Sequence, residues 1–178
     1  MVIFLSGGAK NGKSSLAQHL SKKLAGTGGL YYVATMIPHD AEDEARIQRH
    51  LREREGWGFE TIESGVDVEK NIIRRGCNGS FLFDSVTALL SNEMFPGPEA
   101  DLEAPERVKR QLLSLADWAE HIVFVSDFIY ADAGQYDPLT EAYRRGLAEI
   151  DRALAQRADV VAELCGGCPV VYKGRLDV

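Results

Sequence analysis

Residues 7–14 read Gly-Gly-Ala-Lys-Asn-Gly-Lys-Ser, which satisfies the pattern G-x-x-x-x-G-K-[ST]. Polyphosphate binding accounts for the residue types. Gly7 and Gly12 permit backbone angles that turn successive N–H groups toward an anion. Gly8 and Ala9 are small enough to let phosphates approach, and Lys10 and Asn11 complete the loop. The start of the helix that follows adds its partial positive charge. Lys13 reaches the β- and γ-phosphates, and the Ser14 hydroxyl can ligate Mg²⁺. The competing explanation is an ordinary glycine-rich turn. It fits less well, because the string follows an apolar run and precedes a helical pattern.

Such a loop needs a second acid for the metal at the end of a neighbouring strand. Asp84 closes Ser-Phe-Leu-Phe-Asp and Asp127 closes Ile-Val-Phe-Val-Ser-Asp. Both are suitably placed, and either can instead cap the following helix. Asp84 is preferred because Ser85 and Thr87 follow it as further polar neighbours.

A second cluster lies at 46–54, Arg-Ile-Gln-Arg-His-Leu-Arg-Glu-Arg. On a helix Arg46, His50 and Arg54 share one face. Guanidinium groups can neutralise a triphosphate while an imidazole nitrogen attacks its α-phosphorus. The alternative is a solvated helix with internal ion pairs, since Glu42, Asp43, Glu44, Glu53 and Glu55 lie nearby. His19, His39 and His121 have weaker claims, and His39–Asp40 with Asp43 only imitates a metal site. Cys165-Gly-Gly-Cys168 lacks the second ligand pair of a structural zinc centre and falls at a turn.

Alternating elements position these groups. Val2–Leu5 reads as a strand buried on both faces. Leu16, Leu20 and Leu24 mark a helix, and Leu30–Ala34 a second strand, together a βαβ unit. Helices are expected over Glu42–Arg54, Val66–Arg75, Val86–Met94, Glu106–His121 and Pro138–Arg157, the last capped by Asp137. Trp57–Glu63 reads as an irregular or extended crossing and Phe95–Pro105 as a loop. Strands are expected at Ser80–Asp84, Ile122–Asp127, Val160–Leu164 and Pro169–Lys173, the last two joined by a Gly-Gly turn. The pattern predicts a single α/β domain over 1–178. It is a P-loop NTPase-like three-layer sandwich with a mainly parallel sheet and a small C-terminal hairpin.

Composition narrows the function. At 178 residues and 45% hydrophobic content, one well-filled core is expected. A net charge of −7 argues against nonspecific binding to nucleic acid or anionic membranes. A phosphate site should then be a locally basic, amide-lined pocket. No apolar run approaches the roughly twenty residues of a membrane span. Met1–Leu5 has no basic lead-in resembling a signal peptide. The three cysteines form no disulfide framework, so the cytoplasm is the expected compartment.

Together the segments resemble the adenosylcobinamide kinase / adenosylcobinamide-phosphate guanylyltransferase family of cobalamin biosynthesis. The matching strings are GGAKNGKS at 7–14, YYVAT at 31–35, ARIQRH at 45–50 and Trp57 leading to ETIE at 60–63. LFDSVTALLSN at 82–92 and GCPVVYKG at 167–174 also match. The resemblance implies a bifunctional transferase. It would phosphorylate the aminopropanol hydroxyl of adenosylcobinamide with GTP or ATP. It would then transfer GMP from GTP through a covalent intermediate on His50. It also implies a GTP site lined by Val33, Ala34, Thr35, Leu51, Arg52, Glu53, Arg54, Glu63 and Asp84, and a homotrimer. The chain departs from the family at Asp127-Phe128-Ile129-Tyr130, where Asn-Glu-Val-Gly is usual. It departs again at Glu141-Ala142-Tyr143-Arg144-Arg145, in place of Arg-x-Phe-Arg-Asp. These changes bear on the metal shell and the acceptor pocket. Two other functions share the cradle: a small-molecule kinase without a covalent step, and a non-catalytic nucleotide-dependent regulator. The guanine-reading Asn-Lys-x-Asp string of regulatory GTPases is absent.

Overall fold

A computed structural model describes residues 1–38 and 40–176, apart from the side chains of Glu42, Arg46 and Glu53. The apolar N-terminal run forms β1 (Val2–Gly7), followed by α1 (Lys13–Ala25) and β2 (Leu30–Ala34). Next come α2 (Ala41–Glu53), β3 (Glu60–Glu63), α3 (Val68–Ile73) and β4 (Ser80–Asp84). Then follow α4 (Val86–Met94), α5 (Ala104–Trp118), β5 (His121–Val125) and α6 (Pro138–Arg157). The chain closes with β6 (Val160–Cys165) and β7 (Cys168–Lys173).

All seven strands join one sheet in the order β3-β2-β4-β5-β1-β6-β7. Only the β6–β7 pairing is antiparallel. β1 and β2 are therefore parallel but not neighbours, since β4 and β5 lie between them. The near-continuous apolar character of β1, β4 and β5 follows from burial on both faces. Ile3, Leu5, Leu82, Val123 and Val125 pack with Ala17 and Leu20 of α1. Phe4, Phe81, Phe83 and Phe124 point the other way, into the larger core shared with α3, α4, α5 and α6. Helices on both faces of a mainly parallel sheet, plus the terminal hairpin, give the expected P-loop-like three-layer architecture.

Several boundaries shift for local reasons. β1 runs two residues beyond Leu5, because Ser6 and Gly7 pair with Glu163 and Leu164 of β6. α5 begins at Ala104, inside the expected loop, because Pro105 sits in the first turn, where its missing N–H costs nothing. That helix stops at Trp118. His121 instead opens β5, paired with Ser80. Only Glu60–Glu63 of the 57–63 crossing meets β2. At the terminal hairpin Gly166 and Gly167 carry φ of 58° and 81°, so the turn is theirs. Cys165 and Cys168 instead occupy the paired strand ends, both exposed and unbridged. No helix among the described residues is long and apolar enough to cross a membrane.

Candidate nucleotide site

The carboxyl ends of the parallel strands open into a cavity of about 1130 Å³. Parallel α/β sheets place ligands at this edge. Ala34 ends β2, Glu63 ends β3, Asp84 ends β4 and Val125 ends β5, and all four line it.

The loop between β1 and α1 forms one wall. Gly7 and Gly12 have φ of 146° and 93°, and Lys10 also has a positive φ of 58°. A Cβ on Gly7 would lie 2.6 Å from Asn11 Nδ2 and 2.7 Å from the Leu164 carbonyl oxygen. Only glycine fits between the loop and β6. Asn11 Nδ2 donates to that same carbonyl and pins the loop to the sheet. No acidic residue occupies the first turn of α1, so nothing there offsets its positive end. Lys13 is 5% exposed. Its ammonium donates to the carbonyls of Gly7 and Gly8 at 3.0 and 2.6 Å and pairs with Asp127 Oδ1 at 2.8 Å.

The opposite wall comes from α2 and the segment behind it. His50 lines the cavity together with Arg54 and Trp57, so the imidazole and the Lys13 ammonium face one space. Arg54 is buried, donates to Thr61 Oγ1 at 3.2 Å and sits over the ring of Tyr32. Trp57 packs edge-on against His19 and receives Lys22 at 5.1 Å, closing this segment onto α1.

The other anticipated residues distribute unevenly. Lys10, Asn11, Gly12, Ser14, Glu63 and Asp84 line the cavity. Gly7, Gly8 and Ala9 lead into it, the first two holding Lys13 through their carbonyls. Val33 is fully buried in the sheet, and Leu51 and Arg52 are exposed outside the cavity lining. Thr35 is also buried. Its hydroxyl donates to the Ser85 carbonyl and accepts from the Ser85 N–H, tying the ends of β2 and β4 together. The Asn92 amide donates to the carbonyls of Thr35 and Gly65, which fixes the same rim. The side chains of Arg46 and Glu53, and the whole of His39, lie outside the described residues.

The two strand-end acids take different partners. Asp84 Oδ2 accepts the Tyr32 hydroxyl at 2.8 Å, whereas Asp127 holds Lys13. β5 separates the strand bearing Asp84 from β1, while Asp127, expected to close its strand, lies two residues beyond the end of β5 at Val125, the neighbour of β1. The cavity expected to be locally basic and amide-lined carries acids as well as bases. Lys10, Lys13, Arg49 and Arg54 line it alongside Asp43, Glu44, Glu63, Asp84 and Asp127. The carboxylates gather there because strand ends and the start of α2 converge on that edge.

Behind Asp127, Ser126 and Tyr130 donate to Asp151 Oδ2 at 2.9 and 3.0 Å. Burial pushes the Asp151 carboxyl up to about 7 against those two hydrogen bonds, and the Asp127 carboxylate adds to the rise. Neither Tyr32, which lines the cavity, nor Asp151, which lies outside its lining, stood out in the sequence. An aromatic in a strand reads as core, and an acid within α6 reads as surface.

The family model for cobinamide kinase / cobinamide phosphate guanyltransferase matches residues 3–172. Comparison with curated proteins gives no match. Among solved structures, the flagellar accessory protein FlaH from Methanocaldococcus jannaschii superposes with a TM-score of 0.52 at 14% identity. That match covers 97% of this chain and 78% of FlaH and concerns the fold alone. The family model spans the phosphate loop, the histidine-bearing helix and the hairpin, nearly the whole chain. The protein therefore belongs to the cobinamide kinase / cobinamide phosphate guanyltransferase family, transferases of cobalamin biosynthesis.

Proposed function

We propose that the protein phosphorylates the aminopropanol hydroxyl of adenosylcobinamide and then transfers GMP from GTP to that phosphate, with His50 as nucleophile. The observation that carries this reading is the shared cavity of Lys13 and His50. The loop amides and Lys13 hold the polyphosphate. An unprotonated nitrogen of His50 attacks the α-phosphorus. A nitrogen–phosphorus bond forms as the bond to the bridging oxygen breaks, and pyrophosphate leaves. An oxygen of the corrinoid phosphate then attacks the same phosphorus and releases His50.

Mg²⁺ fits the donor set. Ser14 and Asp84 offer hard oxygens in the cavity, and the carboxylates there call for a counter-charge beside a triphosphate. Among the described residues no group of three or more His, Cys, Asp or Glu side chains gathers to hold a metal. An ion held by one or two protein oxygens and completed by phosphate and water has no need of such a cage. When bound, Mg²⁺ would neutralise developing phosphate charge. GTP is the guanylyl donor and GTP or ATP the phosphoryl donor in this reading. A homotrimer and a cytoplasmic location rest on the family resemblance and the cysteine content.

Incubation with α-labelled GTP should leave acid-labile label on the wild type and none on His50→Ala. Absence of label, or equal labelling of both, rejects the covalent mechanism.

A further inference from the structure

A lysine ammonium has three N–H donors. In this loop they match three acceptors: the carbonyls of Gly7 and Gly8 and the carboxylate of Asp127. Lys13 is nearly buried, so the protein itself satisfies the group. A phosphate oxygen can take one of those donors only if a present partner gives it up. The carbonyls belong to the loop backbone, which forms the cradle. Asp127 is the exchangeable partner, and its negative charge also opposes an incoming phosphate.

The position of Asp127 is built by the backbone around it. The Ser126 N–H donates to the Leu5 carbonyl at 3.0 Å, and the Phe128 N–H donates to the Gly7 carbonyl at 3.0 Å. Between them, the Asp127 N–H donates to Thr87 Oγ1 at 2.8 Å. Three consecutive amides thus staple this segment to β1, to the phosphate loop and to α4. The Gly7 carbonyl accepts from both Phe128 and Lys13, so the acid, the loop and the lysine share one junction.

We propose that Asp127 is a positioning residue that holds Lys13 in the nucleotide-free loop and must release it to the polyphosphate, which sets the nucleotide affinity lower than the cradle alone would give. This rests on residues 7–14 being the phosphate cradle. It assigns Asp127 a role apart from that of Asp84, whose carboxylate is engaged by Tyr32 and not by the lysine.

Calorimetric titration with guanosine 5′-(β,γ-imido)triphosphate, in chelator and in Mg²⁺, tests the assignment. Asp127→Asn keeps the shape and removes the charge. It should bind the analogue about tenfold more tightly than the wild type in both conditions. Asp127→Glu keeps the charge and should stay within about twofold of the wild type. A gain of affinity cannot come from structural damage, so a misfolded variant does not imitate the expected result. Unchanged binding by Asp127→Asn overturns the proposal. Weaker binding seen only with Mg²⁺ also overturns it and makes Asp127 a metal ligand. A wild type that binds no analogue removes the cradle reading and this proposal with it. That outcome is distinct from equal binding by wild type and variant.

Discussion

The guanidinium carbon of Arg54 lies 3.8 Å from the ring centroid of Tyr32. The same tyrosine donates its hydroxyl to Asp84 at 2.8 Å. One side chain of β2 therefore braces the charged segment after α2 and, through its other end, the candidate metal acid.

Tyr32→Phe separates the two contacts. The ring remains under Arg54 while Asp84 loses its donor, so stability should fall by only about 1 kcal/mol. Turnover should fall about tenfold through looser orientation of Asp84. Arg54→Ala should instead cost about 2 kcal/mol through the lost stacking on a desolvated ring. Chemical denaturation and steady-state kinetics on both variants check the contrast.

Neighbouring glycines of the loop should respond differently. Gly7→Ala places a Cβ against the Leu164 carbonyl at a φ of 146° and should cost about 2 kcal/mol or more, with loss of triphosphate binding. At Gly8 nothing lies within 4 Å of an added Cβ, and Gly8→Ala should change stability by no more than about 0.5 kcal/mol. Denaturant midpoints read the difference directly.

His50→Ala should divide the two half-reactions. In the proposed mechanism the kinase step makes no use of His50, so phosphorylation of adenosylcobinamide should persist within about threefold. Pyrophosphate release from GTP should drop by at least about a thousandfold. Chromatographic separation of adenosylcobinamide phosphate from the GDP ester of adenosylcobinamide reports both.

Asp151 makes stability fall as pH rises. Its carboxyl titrates at about 7 in the folded chain against 3.8 as the ordinary value. Between those values the native state holds a proton that the unfolded chain has released. Stability should therefore decline through this window and level off above it, by about 4 kcal/mol in all. Asp151→Asn should flatten that part of the profile. Urea denaturation of both proteins at about pH 5 and about pH 8 measures it, and parallel profiles would contradict the assignment.

Local chemistry made much of the fold readable. Leu30–Ala34, Ser80–Asp84, Val86–Met94 and Pro138–Arg157 occupy the expected spans because each has its own signal. The strands are short apolar runs, and α6 has Asp137 accepting from the N–H groups of Leu139 and Thr140. β3, α3 and the ends of α5 were less readable. Their limits depend on which residues find a partner across the sheet or in the core.

The sequence by itself determined the phosphate loop, the order of strands and helices apart from β3, and the histidine within a cluster of arginines. Each follows from neighbours along the chain, through backbone freedom at Gly7 and Gly12, hydrophobic period and helical spacing. Only the tertiary structure decided that β4 and β5 lie between β1 and β2, that Asp127 and not Asp84 holds Lys13, and that Tyr32 links Arg54 to Asp84. These pairings join residues far apart in sequence. Strand order and the packing of side chains at the sheet's carboxyl edge choose the partners, and no spacing along the chain encodes that choice.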